Sequence, residues 1–233
     1  MRTTFSWAKW IANLYRDTHP SHYYYVLAKV LSDDLANTLR TLSLNHLDQR
    51  NSLGHVLDVG CGRGQFDFLI SLFNNVESLT GVDLDARKIV VANKALACWN
   101  IDQPLATPIK FKVGDATALG EGCYDTILLF DVFNTLEHSE QHVILAQLAS
   151  RLNDGGRLFV RESIRGDGPS VSKWLEPLAR KFGTNIGRNM AFPTYEQLCS
   201  CVQVAGLEII AERTSPLLKS RFLTLKKATS HAH

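Results

Sequence analysis

The 233-residue chain contains few cysteines, few prolines and no long apolar run. Its five cysteines are scattered and odd in number, which is not the pattern of a disulfide framework or a spaced zinc site. No stretch of about 18 consecutive apolar residues exists, and residues 1–17 lack the continuous apolar segment of a signal peptide. These absences favour a cytoplasmic protein that is neither secreted nor membrane-spanning.

The chain also lacks the strong basic charge that is typical of nucleic-acid-binding domains. Twenty-five lysines and arginines stand against 23 acidic residues, for a formal net charge of +2. Hydrophobic residues make up 45% of the chain, which is enough for one substantial core. We therefore expect one catalytic domain with short appendages and no nucleic-acid partner.

From His55 onward, short aliphatic runs alternate with amphipathic stretches. This pattern predicts an α/β fold with a doubly wound, seven-stranded, mostly parallel sheet. Strands are expected at 55–59, 79–83, 109–113, 124–130, 157–162, 207–212 and 221–226, and helices at 65–74, 86–99, 138–151 and 194–204. Asp85 should cap the second of these helices, and Gly155 and Gly156 should end the third. Only about eight residues join the last two strands, so this pair should be antiparallel.

Two segments lie outside this alternation. Residues 1–50 should form an N-terminal helical lid, with helices at 4–16 and 22–44, ahead of a domain over 51–233. An insertion at 163–193, between the fifth and sixth strands, is a second natural lid. The N-terminal aromatic side chains are interpreted as packing and lid residues.

The clearest chemical signal lies in residues 56–66, where a hydrophobic strand runs into a glycine-rich turn and then a helix. Glycines let the backbone adopt positive φ and approach a ligand closely, while the helix start offers free amides. A dinucleotide fingerprint needs a glycine three residues after Gly62, where Gln65 stands. The pattern therefore indicates a nucleoside-type ligand but not a nicotinamide dinucleotide.

This stretch, with Asp58 followed by Gly60, Gly62 and Gly64, resembles the first motif of class I S-adenosylmethionine-dependent methyltransferases. The resemblance continues in order along the chain. Residues 79–85 resemble the second motif of that family, 111–116 the third, 124–134 the fourth, and 152–160 its turn into the fifth strand. One glycine loop alone is weak evidence, but five ordered matches are specific.

The resemblance implies a Rossmann-like fold, a small-molecule acceptor and S-adenosyl-L-methionine as cofactor. It implies that Asp83 holds the ribose hydroxyls and that Asp115 accepts from the adenine amino group. Asp131 would line the methyl site or cap the next turn, as strand-ending acids commonly do, whereas Asp125 is interpreted as structural. The cofactor-binding residues it implies are Asp58, Gly60, Cys61, Gly62, Gly64, Asp83, Leu84, Asp115, Ala116 and Asp131.

No catalytic residue can be assigned from the sequence. Asp131 is followed by Val132 and Phe133, not by the Pro-Pro motif that the family uses on amide or adenine nitrogens. Oxygen or carbon acceptors are therefore favoured. Many small-molecule members have a histidine just after this strand, whereas this chain has Asn134.

Two pairs of closely spaced residues, one of histidines and one of cysteines, are not interpreted as metal sites. His138 and His142 are four apart and could share a helix face, but no third ligand is evident and an exposed polar face explains them equally. Cys199 and Cys201 have no second pair nearby and are interpreted as helix residues.

Positive charge in and beside the insertion suggests an anionic acceptor, either a free acid or an acyl chain on a phosphopantetheine carrier protein. The residues concerned are Arg161, Arg165, Lys173, Arg180, Lys181 and Arg188. Two alternatives stay open. One is a membrane-surface enzyme acting on a lipid or quinone precursor through Trp7, Trp10 and Ile11; the other is a non-catalytic adenosyl-binding protein that kept the fold.

Overall fold

The computed structural model describes residues 4–44, 52–102, 107–115, 122–165, 192–215 and 220–229. The chain divides into two compact units, Met1–Asp115 and Ala116–His233. Together they supply the seven strands of a mixed sheet, which confirms the predicted α/β class. The proposed boundary between a lid over 1–50 and a domain over 51–233 stays a prediction.

The first unit combines three parallel strands with five helices. The strands are β1 (His55–Val59), β2 (Ser78–Asp83) and β3 (Ile109–Val113), and β2 lies between the other two. The helices are α1 (Thr4–Asn13), α2 (Pro20–Ser32), α3 (Leu35–Leu44), α4 (Gln65–Phe73) and α5 (Ala86–Asp102). Asp85 caps α5 as predicted, because its Oδ1 accepts the amide hydrogen of Arg87 at 3.0 Å.

The single helix predicted over 22–44 is wrong: the structure has two helices, α2 and α3, interrupted at Asp33 and Asp34. Asp33 is in an extended conformation, with φ −84° and ψ 149°. The Asp34 carboxylate accepts from the side-chain amide of Asn37, at 2.9 and 3.0 Å. Short acidic side chains compete locally for hydrogen bonds and favour helix ends, and this outweighs the apolar periodicity of the segment.

The second unit contains β4 (Tyr124–Phe130), α6 (His138–Ser150), β5 (Leu152–Ser163), α7 (Tyr195–Val204), β6 (Leu207–Thr214) and β7 (Ser220–Lys227). Strand β5 is parallel to β4, and β7 lies between β5 and β6 and is antiparallel to both. The predicted antiparallel pairing of the last two strands is thus confirmed. A short 3₁₀ turn, Phe133–Thr135, follows β4.

The prediction that Gly155 and Gly156 end the third helix is wrong. Helix α6 ends at Ser150, and both glycines lie within β5, where its register against β4 shifts. Asn153 donates from Nδ2 to Asp125 Oδ1 at 2.8 Å, so Asp125 is structural, as predicted. A Cβ at Gly156 would lie 2.9 Å from the Asn153 carbonyl oxygen, which explains the glycine by close backbone approach.

Candidate cofactor and acceptor sites

The glycine-rich loop joins β1 to α4 and takes a conformation that its sequence dictates. Gly60, Gly62 and Gly64 all have left-handed backbone angles, with φ of 77°, 62° and 76°. The amides of Gly60 and Cys61 both donate to the Val82 carbonyl oxygen, at 2.8 and 3.0 Å, and so tie the loop to β2. The loop is therefore held in a fixed conformation, with no side chain at three of its five positions, at the carboxyl end of β1.

Close packing under the loop accounts for two glycines. A Cβ at Gly64 would overlap the ring of Phe111. At Gly81, in β2, a Cβ would lie 2.7 Å from the Phe111 ring and 2.9 Å from Cys61 Sγ. The thiol of Cys61, a predicted cofactor residue, thus faces β2 and is buried. Burial, followed by the neighbouring carboxyl groups, raises the pKa of this thiol well above its usual range, so it is no nucleophile.

Asp83 ends β2 with its carboxylate fixed beside the loop. Its Oδ2 accepts from the Gly62 amide at 3.0 Å, and its Oδ1 accepts from the Asp85 amide at 2.8 Å. Lys88 Nζ lies 3.7 Å from Oδ2 and compensates the charge. A carboxylate has about four acceptor positions, so two backbone amides leave it able to accept from a pair of hydroxyl groups.

Exposed apolar side chains follow the same strand ends. Leu84 comes directly after Asp83 and is 60% exposed, and Val113 is 54% exposed. Asp83 and Val113 are partners in the parallel register of β2 and β3, so these apolar groups stand at one edge of the sheet. Exposed apolar groups beside fixed polar ones are typical of a ligand site. Asp115 is exposed two residues after β3, and Ala116 lies outside the described residues.

Two buried carboxyl groups lie beneath the loop. Asp58 is buried in β1, and Asp67 is fully buried in α4. Desolvation, followed by the negative charge of Asp58, raises the pKa of Asp67 well above its usual range. Asp67 therefore favours its neutral form. Sequence reasoning missed it, because an acid in a helix normally indicates an exposed face.

The first two helices pack onto this loop and its helix. The Tyr15 hydroxyl donates to the Arg63 carbonyl oxygen at 2.8 Å, and the Arg63 guanidinium lies over the ring of Tyr25, 4.1 Å from its centroid. Trp7 packs edge-on against Phe73 in α4 at a centroid distance of 4.9 Å. Trp7, Tyr15 and Tyr25 thus act as packing residues, as predicted, whereas Phe5 and Tyr24 are largely exposed.

In the second unit, Asp131 directly follows β4 in a left-handed conformation, with φ 58°. Its Oδ2 accepts from Arg161 Nη2 at 2.7 Å. Arg161 is buried, and its guanidinium also lies over the Phe130 ring, 5.0 Å from the centroid. Arg161 is therefore engaged within the fold and does not contribute to a free positive surface for an acceptor.

Glu162 is a fully buried acid at the carboxyl end of β5, next to Arg161 in sequence. Its Oε1 accepts from Asn134 Nδ2 at 2.7 Å and from the Ser163 amide at 2.8 Å, and its Oε2 accepts from the Asn134 amide at 3.1 Å. Desolvation, followed by the charge of Asp131, raises the pKa of Glu162 to about 8 despite these donors. Nothing in the sequence marked this residue, because its partner lies 28 positions earlier.

In the described part of the chain, no group of three or more His, Cys, Asp or Glu side chains is arranged to hold a metal ion. Cys199 and Cys201 lie in α7, as predicted. None of the described helices is both long enough and apolar enough to cross a membrane.

A protein-family model described as a methyltransferase domain matches residues 28–212. This match spans most of the chain and contains all five motifs. The chain belongs to the class I S-adenosylmethionine-dependent methyltransferase family. The family's cofactor is S-adenosylmethionine, and the glycine loop, the fixed Asp83 carboxylate and the apolar strand ends fit its nucleoside part.

Solved structures show the same fold. Magnesium protoporphyrin IX methyltransferase from Synechocystis PCC 6803, with bound S-adenosylhomocysteine, is 18% identical at a TM-score of 0.63, over 96% of this chain and 94% of that one. Mitomycin 7-O-methyltransferase is 15% identical at a TM-score of 0.66, over 97% of this methyltransferase. The pyocyanin biosynthetic protein PhzM is 17% identical at a TM-score of 0.64, over 93% of this chain. This chain spans 61% of each of the last two proteins.

Not every structural neighbour is called a methyltransferase. The [4+2]-cyclase SpnF is 17% identical at a TM-score of 0.61, over 84% of this chain and 82% of that one. No curated protein matches the sequence significantly.

Proposed function

We propose that this methyltransferase methylates a small-molecule acceptor at oxygen or carbon, and that the acceptor is an acid, free or carrier-bound. When bound, S-adenosylmethionine supplies an electrophilic methyl group, which passes to the acceptor and leaves S-adenosylhomocysteine. The protein's part is to bind and orient the two reactants and to exclude water.

One observation carries the choice of acceptor: the polar groups at the ends of β4 and β5 bind one another. Asp131 is paired with Arg161, and Glu162 holds Asn134. With a pKa of about 8, Glu162 is largely protonated at neutral pH and is a poor general base there. A neutral hydroxyl needs a base, whereas an ionised carboxylate or phenolate is already a nucleophile. The described residues of this unit therefore suit an acceptor that arrives ionised.

The segment after β4 also favours oxygen or carbon over an amide nitrogen. Val132 and Phe133 stand where the nitrogen-methylating motif has its prolines, and Phe133 is fully buried. The printed name of one structural neighbour, mitomycin 7-O-methyltransferase, records an oxygen acceptor for that protein. The insertion residues Lys173, Arg180, Lys181 and Arg188 lie outside the described residues, so their contribution stays a prediction.

The first experiment is calorimetric titration of the protein with S-adenosylmethionine and S-adenosylhomocysteine. Asp83→Ala should abolish measurable binding, because it removes the carboxylate held by Gly62 and Asp85. Asp154→Ala, an exposed acid in the turn of β5, is the matched control and should bind as the wild type does. Absence of binding by the wild type would refute cofactor use.

The second experiment is an acceptor screen, read by mass spectrometry as the gain of one methyl group. It compares aromatic and fatty acids, free and on a carrier protein, with the corresponding alcohols and amides. Methylation of acids alone would support the proposal, and methylation of amides alone would refute it.

The rival function is cofactor binding without methyl transfer, and one observation favours keeping it. A structural neighbour with this fold is called a [4+2]-cyclase. Micromolar binding of S-adenosylmethionine with no methylated product across the panel would favour this rival. The membrane-surface alternative has less support, because Ile11 is fully buried and Trp10 packs against Trp99 at 4.9 Å.

A further inference from the structure

Arg63 occupies an unusual position in the glycine-rich loop, between Gly62 and Gly64. The side chain is half-buried, and its Nε is buried without a hydrogen-bond partner. Within the described part of the chain, its guanidinium forms no ion pair with an acid. An arginine cannot shed its proton, and a buried N–H donor without an acceptor is costly unless a ligand supplies one.

Asp67, an acid of the helix that follows the loop, does not serve as an internal counter-ion. It is fully buried, and its carboxyl group interacts with that of Asp58. Its pKa is raised by desolvation and by Asp58, without an opposing contribution from Arg63. Asp67 therefore favours the neutral form, and it forms no ion pair with Arg63.

Two tyrosines, Tyr15 in the turn after α1 and Tyr25 in α2, hold Arg63 in place. The Tyr25 ring stacks on the guanidinium at 4.1 Å, and the buried Tyr15 hydroxyl donates to the Arg63 carbonyl oxygen at 2.8 Å. Stacking occupies one face of the guanidinium plane and leaves its edge, which carries the N–H donors, able to bind an anion. The arrangement is preorganised, which lowers the entropy cost of binding.

Other positive groups lie around Arg63. Burial, then the positive charges of Arg63, His19 and Lys94, lower the pKa of His22. Arg63 and Lys94 thus both place positive charge within electrostatic reach of His22. Such a field attracts a carboxylate and disfavours a second cation.

We propose that Arg63 binds the carboxylate of the amino-acid part of the cofactor, and that Tyr25 and Tyr15 position it to do so. The inference rests on the proposed cofactor use and adds a residue to it. The cofactor is favoured over an acidic acceptor because Arg63 belongs to the loop whose glycines allow close approach of that ligand. A guanidinium and a carboxylate pair through two parallel hydrogen bonds.

The test is calorimetry with two ligands that differ only in the carboxylate: S-adenosylhomocysteine and its decarboxylated analogue, which keeps the amine. Arg63→Gln should weaken S-adenosylhomocysteine by about 10- to 100-fold, as expected for hydrogen bonds to a charged group, and should change binding of the analogue by less than about threefold. The affinity of Arg63→Lys for S-adenosylhomocysteine should lie between those of the wild type and Arg63→Gln, because lysine keeps the charge but loses the paired hydrogen-bond geometry. Tyr25→Leu should weaken S-adenosylhomocysteine in the same selective way, to a smaller extent.

Arg16→Gln is the matched control, since Arg16 also lies over a tyrosine of α2, 5.6 Å from the Tyr23 centroid, but outside the loop. It should leave both affinities unchanged. Equal weakening of both ligands in Arg63→Gln would overturn the proposal, because it would show a general loss of loop structure. Unchanged S-adenosylhomocysteine affinity would overturn it as well, while leaving cofactor use intact. A wild type that binds neither ligand would instead refute the cofactor use on which the proposal rests.

Discussion

Substitution of Gln for Glu162 should make the folding stability of the protein less dependent on pH. Glu162 is fully buried, and its pKa of about 8 compares with about 4.3 for a glutamate in an unfolded chain. Between these values the folded state holds a proton that the unfolded state has released. Stability from this group is therefore complete below about pH 4 and is lost as pH rises, until it levels off above the folded-state pKa.

The size of the effect follows from the two pKa values. The largest slope is about 1.4 kcal/mol per pH unit, and the loss over the whole window is at most about 5 kcal/mol. From about pH 6 to about pH 8, the wild type should lose about 2 kcal/mol of unfolding free energy through Glu162 alone. Glu162→Gln removes this slope. It also places an amide donor opposite the Asn134 amide, at a cost of about 1–3 kcal/mol that does not depend on pH.

The assay is urea denaturation followed by tryptophan fluorescence at several pH values between about 6 and about 8.5. Between the acid and the alkaline end, the variant should gain about 2 kcal/mol of unfolding free energy relative to the wild type. Glu196→Gln, an exposed residue of α7, is the matched control and should run parallel to the wild type. If the stability of Glu162→Gln changed with pH in the same way as that of the wild type, Glu162 would already be ionised in the folded protein, and the reasoning would be refuted.

Two further substitutions test the loop and the acid that follows β4. Gly64→Ala should cost about 1–3 kcal/mol more than Gly62→Ala in a denaturation experiment, since both positions have positive φ but only the first Cβ meets Phe111; equal costs would contradict the packing argument. Asp131→Asn keeps a residue that tolerates left-handed φ but removes the negative charge beside buried Arg161. It should destabilise the fold by about 2–3 kcal/mol. This cost is smaller than for a fully buried ion pair, because the Asp131 side chain is 35% exposed. A cost below about 0.5 kcal/mol would mean that the ion pair contributes little.

The sequence predicted the cofactor side of the molecule well because its signals are local. The strand, the glycine turn and the helix start lie within residues 55–73, and the capping role of Asp85 depends on the adjacent Arg87. The antiparallel pairing of the last two strands followed from connection length alone. Patterns of this kind are set by backbone stereochemistry over a few residues, so they can be read without knowledge of tertiary contacts.

The wrong and the missing predictions concern contacts between residues that are far apart in the sequence. The position of Gly155 depends on how β5 pairs with β4, and the role of Glu162 depends on Asn134, which is distant in sequence. The burial of Asp67 depends on helices that pack over α4. Composition and periodicity treat an acidic residue as exposed, and only the folded chain shows which acids have been taken out of water.

The two groups of buried acids bear on function in different ways. In the first unit, the Asp83 carboxylate is fixed in position by two backbone amides and Lys88, with room to accept from a ligand. In the second, Glu162 is held near neutrality and its oxygens are taken by the protein's own N–H groups. A preorganised acceptor favours binding, whereas a neutral and fully engaged acid cannot remove a proton at pH 7. The proposed function, methylation of an acceptor that is already ionised, therefore predicts that the rate of methylation follows the pKa of the acceptor and not that of a protein group.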